Sequence, residues 1–195
     1  FGEYERAKFM ERTRRGKLHR AKSGHIIGNI PPYGYRCVKK GESTTGYAYY
    51  VIDEEEARVV RHIFKLFVEK RMTIYSVILE LRRANIQPRK GGKWAKSSVS
   101  KILGNSTYTG VTYYNKFLAT QPKNSESNGY HRQKNTSTRL KPKEEWIAIT
   151  GVPVIIDEAT YLKAQNLRKL NIQYSNRNTK LQYLLKGLIK CGRDD

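Results

Sequence analysis

The chain has 195 residues, with 38 Lys and Arg against 17 Asp and Glu and a formal net charge of +21. That imbalance exceeds what solubility requires and points to a polyanionic partner: DNA, RNA or an acidic membrane surface. No apolar run approaches the ~20 residues of a membrane-spanning helix, no signal-peptide pattern opens the sequence, and 38% apolar residues permit only a modest core. The length fits one large domain or two small ones. Cys37 and Cys191 lie too far apart to form a disulfide framework, and a reducing cytoplasm is their natural compartment. His19, His25, His62 and His131 show no metal-ligand spacing and are read as facing solvent or DNA.

In chain order, Glu11 stands three and four residues before Arg14 and Arg15, the spacing that pairs charges on one helical face. Residues 1–15 therefore read as the end of a helix that starts upstream, since no good N-cap precedes it, and the chain is expected to be a fragment. Helical character is expected to end at Gly16, leaving residues 16–29 as a basic tether. From Arg12 to Lys40 there are nine Lys or Arg and no Asp or Glu. Pro31-Pro32 fixes an extended backbone, and Gly34 permits a bend between Tyr33 and Tyr35. Tyr35-Arg36-Cys37-Val38 and residues 47–52 predict a β-hairpin around Lys40-Gly41-Glu42.

Asp53 begins a helix, with Glu56 at the capping-box position and an apolar face of Val60, Ile63, Phe64 and Phe67. Thr73 caps a second helix, with Ile74, Val77, Ile78 and Leu81 inward and Asn85 as a left-handed end. After a loop carrying Pro88, Gly91 and Gly92, Trp94 is a core anchor ahead of a third helix over residues 96–103, whose Val99, Ile102 and Leu103 face inward. The last two helices follow a helix-turn-helix plan with a stretched turn. Lys96, Ser97, Ser98, Ser100 and Lys101 are left outward; the pattern fits a helix reading a major groove and an ordinary surface helix equally well.

Residues 105–110 turn into a strand over 111–115, with 145–149 as its partner. The polar stretch 121–143, which holds Lys123, Arg132, Lys134, Arg139, Lys141 and Lys143 against the single acid Glu126, is expected to be mobile without DNA. Asp157 caps a final helix to about residue 170. Residues 175–180 are a linker, and a new element starts near Leu184. The predicted class is α+β: a small helical bundle with a stretched helix-turn-helix plus short β-hairpins, preceded by a protruding basic helix and tether.

The ordered set Tyr4-Glu5-Arg6, Glu11-Arg12-Thr13 with Gly16, Gly28, Pro31, Tyr33-Gly34-Tyr35, Asp53, Ala57, Val60 and Ile63-Phe64 resembles the DNA-binding half of the large serine recombinases. It continues through Trp94, Ser98, Val99, Ile102-Leu103, Asn105, Tyr108, Gly110, Pro153, Ile155-Ile156 and Asp157 to Leu184-Leu185, Gly187-Leu188 and Cys191-Gly192. The resemblance implies a linker helix over 1–15, a tether over 16–29, a recombinase domain over 30–174, and a linker with the first residues of a zinc ribbon over 175–195. Two positions depart from the family pattern. Asp194 stands where the ribbon's second cysteine is expected, and one thiolate cannot hold a four-ligand zinc, so no metal or other cofactor is predicted. Ala95 cannot cap the third helix, a task left to Ser97 or the tether.

The family's nucleophilic serine, which links covalently to cut DNA, belongs to an N-terminal domain that this sequence lacks. Ser97, Ser98 and Ser100 have no adjacent base, so no catalytic residue is assigned. The resemblance implies a bacterial or phage-encoded, cytoplasmic and nucleoid-associated protein that binds double-stranded attachment-site DNA and self-associates in its full-length form. Three contact zones are expected. Arg12, Arg14 and Arg15 cross the backbone; Lys17, Arg20, Lys22 and His25 thread a minor groove; and Lys96, Ser97, Ser98, Ser100 and Lys101 read a major groove, with Arg89, Lys90 and Lys93 on phosphates. A basic RNA-binding protein and a helix-turn-helix transcription regulator remain the alternatives.

Overall fold

The computed structural model describes residues 2–28, 30–121 and 137–173. Lys123, His131, Arg132, Lys134 and the whole 175–195 segment with Cys191 lie outside the described residues. The chain forms two compact units, Phe1–Glu54 with Ser106–Ile155 and Glu55–Asn105 with Ile156–Asp195.

The first unit opens with helix α1 (Gly2–Lys22), which runs past Gly16, where the sequence reading ended it. A glycine in a helix interior costs only about 1 kcal/mol relative to alanine and does not by itself stop the helix. The stop lies at Gly24, whose φ of 78° is left-handed. The Gly24 N–H donates to the Ala21 carbonyl and the His25 N–H to the Arg20 carbonyl, both at 3.0 Å. That pair of bonds is a Schellman turn, and it satisfies two of the carbonyls that a helix end otherwise leaves open. Lys17, Arg20 and Lys22 consequently ride a helix and not an extended tether.

Strands β1 (Tyr35–Val38) and β2 (Tyr49–Ile52) form the expected antiparallel hairpin, with Tyr35 opposite Ile52 and Val38 opposite Tyr49. Beyond a 3-10 turn at Ser106–Thr109, β3 (Thr112–Tyr114) pairs with the distant β6 (Ile147–Ile149). Between them lies a further hairpin, β4 (Phe117–Thr120) with β5 (Ser137–Leu140), whose second strand falls inside the stretch 121–143 that the sequence marks as mobile. Helix α1 packs against β6 and buries Ala21. The core of the unit is aromatic: Tyr35, Tyr50 and Tyr108 are buried with Ile149 and Val152. The Tyr35 and Tyr108 rings stack with centroids 5.9 Å apart. The Tyr35 hydroxyl lies 2.7 Å from the Pro153 carbonyl and 3.1 Å from that of Thr107, and the Tyr108 hydroxyl donates to the Tyr33 carbonyl at 2.8 Å. Burial pushes the Tyr35 phenol well above its usual range.

The second unit is helical. Helix α2 (Glu54–Val68) buries the predicted stripe Val60, Ile63, Phe64 and Phe67, together with Ala57 and Leu66. Helix α3 (Ile74–Arg83) is capped by Thr73, whose hydroxyl accepts the Ser76 N–H at 3.1 Å, and Asn85 follows it at φ 53°, as expected. Helix α4 (Lys96–Leu103) packs on α3 and turns Val99, Ile102 and Leu103 inward. Its N-cap, Ala95, makes no side-chain hydrogen bond. Helix α5 (Glu158–Gln173) begins after Asp157, whose Oδ2 accepts the Thr160 N–H at 2.8 Å. That backbone hydrogen bond is the main reason the Asp157 carboxyl titrates below its usual range.

The two glycines of the α1 region should respond to alanine with opposite signs. No atom lies within 4 Å of the Cβ that either substitution would add, so only the backbone decides. Gly16→Ala should stabilise by up to about 1 kcal/mol. Gly24→Ala, forced into a left-handed conformation, should destabilise by about 1–2 kcal/mol and fray the last turn. Chemical unfolding monitored by helical circular dichroism reads both, and equal signs would contradict the assigned helix end.

Candidate nucleic-acid interface

In the first unit the cations expected to meet DNA lie along one solvent-exposed helix. Arg12, Arg14, Arg15, Lys17, Arg20 and Lys22 are all exposed on α1. Arg15 pairs with Glu11 at 2.9 Å, as the spacing predicts. An exposed pair of this kind is worth well under about 1 kcal/mol and is easily exchanged for a phosphate. The Arg20 Nε donates to the Gly16 carbonyl at 3.3 Å, which lays its side chain along the helix.

Two clefts flank this helix. Arg14 and Leu18 line one of about 400 Å³ together with residues 113–117. Beside it, the Lys116 ammonium lies 4.9 Å from the Trp146 ring centroid and 5.9 Å from that of Tyr113, two rings that meet edge to face. The corner is held from behind. Asn115 adopts φ 63° and donates from its amide to the Glu145 carbonyl at 3.1 Å, and the Trp146 Nε1 donates to the Lys141 carbonyl at 3.0 Å. Lys141 is turned inward onto Glu145 at 2.8 Å. The other cleft, of about 370 Å³, is lined by Lys17, Arg20, His25 and the β1–β2 loop residues Lys40 and Tyr47. Here His25 stacks on Tyr47, with ring centroids 3.5 Å apart and planes 7° from parallel.

In the second unit the expected contacts divide. Lys96, Ser97 and Lys101 are exposed on α4, and Ser98 is half-buried. Ser100, read as outward, is half-buried with its hydroxyl 3.4 Å from the Arg168 Nη2 of α5. The helical period puts position 100 beside the inward Val99 and Leu103, and α5 occupies that flank. In the stretched turn Lys90 and Lys93 are exposed, whereas Arg89 is engaged by Glu56 through both nitrogen–oxygen pairs, Nε to Oε1 at 2.7 Å and Nη2 to Oε2. The Glu56 side chain is only 15% exposed, so this pair anchors Arg89 to α2. Trp94 is buried and donates to the Ile86 carbonyl at 2.9 Å, the core anchor expected.

Several positioning residues escaped the sequence reading. The last turn of α4 is held by α5: Gln165 donates to the Leu103 carbonyl at 2.7 Å and Tyr161 to the Gly104 carbonyl at 3.3 Å, while Arg168 donates to Gln165 at 2.9 Å. A side chain at position 104 would meet the Arg168 guanidinium, so the glycine makes room for it. Nothing in the spacing of α5 marks these contacts, because they reach residues 57 and 62 positions back along the chain. Among the described residues no group of three or more His, Cys, Asp or Glu is placed to hold a metal ion, and no helix is long and apolar enough to cross a membrane.

Residues 54–171 match the Recombinase family model. The chain is 32% identical over 203 aligned positions to a Bacillus subtilis (strain 168) protein described as "Putative DNA recombinase", a match that covers 98% of this chain and 37% of that protein. Two solved structures share the fold at 19% identity. One, a crystal structure of an LSR–DNA complex, has a TM-score of 0.56 over 90% of this chain and 43% of its own. The other, described as "Sequence Requirements of the Listeria innocua prophage attP site", has a TM-score of 0.55 over 89% and 58%. The chain thus spans less than two thirds of the length of each of these proteins.

Removing the brace on α4 should loosen that helix without touching its exposed face. Gln165→Ala deprives the Leu103 carbonyl of its donor and should cost about 1 kcal/mol, lowering the melting temperature by about 2–4 °C. Amide hydrogen exchange in residues 102–104 should speed up; unchanged exchange there would show that α5 does not hold the helix.

Proposed function

The chain belongs to the Recombinase family, as its resemblance to the large serine recombinases led us to expect, and from that premise we propose that it is the DNA-binding portion of such an enzyme. In this reading it holds duplex DNA at a recombination attachment site while the strand-cleaving serine, and the surfaces for self-association, belong to parts of the full-length protein outside this sequence.

The observation that carries the reading is the row of exposed cations on the second half of α1. At 1.5 Å per residue, positions 12 to 22 span about 15 Å, a length of duplex axis over which each strand presents four to five phosphates at ~3.4 Å of rise each. Six cations over that length, with Glu11 the one acid paired to them among the described residues, give this half of the helix the charge that a sugar-phosphate backbone requires. Because Lys17, Arg20 and Lys22 are helical, they serve backbone phosphates, and the minor-groove role narrows to His25 and the residues after the Schellman turn. There Gly28, at φ 123°, permits close approach.

In the second unit, α4 offers Lys96, Ser97, Ser98 and Lys101 to base edges and phosphates of a major groove, with Lys90 and Lys93 beside them. Short hydroxyl side chains flanked by lysines suit a helix whose backbone lies close to the bases. Membership of the Recombinase family supports this reading over the RNA-binding and regulator alternatives.

The two kinds of contact separate in a binding experiment. Arg12→Ala should weaken binding to attachment-site and scrambled duplexes alike and reduce the salt slope by about one unit. Ser97→Ala and Ser98→Ala should leave the slope intact and alter sequence preference, at about 1–3 kcal/mol for each base pair read. A sequence preference indifferent to both serines would remove α4 from the major groove.

A further inference from the structure

We infer that the cleft between the end of α1 and the β1–β2 loop is a built phosphate site, and that it takes a backbone phosphate of duplex DNA, making the hairpin loop a DNA-contacting element through Lys40 and Tyr47. This rests on the DNA-binding reading above and adds to it residues that the three contact zones do not contain.

Three observations converge on the cleft. First, its charge is of one sign: Lys17 and Arg20 from the last turns of α1 and Lys40 from the loop line it, with His25 beside them and no carboxylate among the lining residues. Second, the site is rigid where it needs to be. The Schellman turn at Gly24 fixes His25 relative to Arg20 by a 3.0 Å hydrogen bond, and the near-parallel stack of His25 on Tyr47 ties the loop to the helix end. The cations therefore line a preformed space of about 370 Å³, within the range of small-ligand pockets. Third, the principal electrostatic objection fails on magnitude. A helix C-terminus carries about half a negative charge, which disfavours an anion. Here the carbonyls of Gly16, His19, Arg20 and Ala21 already accept hydrogen bonds. Three full positive charges outweigh the remainder.

A phosphodiester is the anion that fits. It offers two acceptor oxygens to convergent N–H donors, and its sugar can rest on the exposed aromatic face of Tyr47 and the apolar Ile26 and Ile27. A free phosphate ion shares the charge chemistry but has no use for that apolar wall.

The test uses the whole 195-residue chain. Binding of a labelled duplex carrying the parent element's end sequence is titrated between about 50 and about 200 mM salt for the native protein, Lys40→Ala, Lys40→Arg and Tyr47→Ala. One lost phosphate contact lowers the salt slope by about 0.9, so the affinity deficit of Lys40→Ala should shrink about 3.5-fold across that fourfold change in salt. The deficit should be the same on a scrambled duplex; Lys40→Arg should restore binding, and Tyr47→Ala should lower affinity for both duplexes alike. If Lys40→Ala keeps native affinity and slope while Arg12→Ala loses both, the cleft is not a DNA contact although the chain remains a DNA-binding protein. If in that case inorganic phosphate shifts the His25 ring resonances of the DNA-free protein, the cleft belongs to a free ion and the inference is overturned in favour of that source. If the native chain binds no duplex, both readings fall together.

Discussion

The hydroxyl of Tyr35 is the point on which the first unit depends. Its proton lies between carbonyls 72 and 118 residues further along the chain, and the Tyr108 hydroxyl returns the tie to Tyr33. Leaving such buried acceptors unmatched costs about 1–3 kcal/mol each, a large share of the net stability of a small domain. The tie closes a unit made of two separate stretches of chain, and the residues of α2, α3 and α4 lie in sequence between them. The same aromatic centre anchors the β1–β2 hairpin against which the residues after α1 come to rest. The placement of the cationic helix therefore follows from an uncharged core.

Charge is then sorted by partner. Arg89 with Glu56 and Lys141 with Glu145 place one half-buried or buried partner in each pair, and these cations hold structure. Arg83 with Glu80 and Arg15 with Glu11 are exposed pairs that contribute little. A net charge of +21 cannot be neutralised within the chain, and its self-repulsion is relieved by screening salt and by an external polyanion. Binding and stability are linked through that relief, since whatever binds the folded state alone also stabilises it.

Much of this was legible in the sequence. The elements of the second unit follow from helical periodicity and caps: Thr73 caps α3, Asn85 turns left-handed after it, Asp157 caps α5, and α4 occupies residues 96–103 with the inward residues expected. The misreadings have physical causes. Gly16 reads as a helix end because glycine is a weak helix former, but a single cost of about 1 kcal/mol does not by itself stop a 21-residue helix. The real terminator, Gly24, was visible as a glycine, yet only its positive φ and the pair of Schellman bonds distinguish the two. The β4–β5 hairpin was hidden because all of Ser137–Leu140 is exposed, so no burial pattern marks it. For the site, the cations of α1 are readable from the acid-free basic run between Arg12 and Lys40. The anchoring of Arg89, the turning of Ser100 toward Arg168 and the convergence of Lys40 on the end of α1 arise from tertiary placement and leave no local trace.

The central claim, that this chain is a duplex DNA-binding portion of a recombinase, is met most directly by a competition titration. The chain is bound to a labelled duplex carrying the parent element's end sequence and challenged with the same duplex unlabelled, a scrambled duplex and a structured RNA, at low and near-physiological salt. The account predicts that only the matching duplex competes effectively at the higher salt, where counterion release no longer dominates. Equal competition by all three, with binding lost as salt rises, would mean that charge alone holds the nucleic acid and would contradict it.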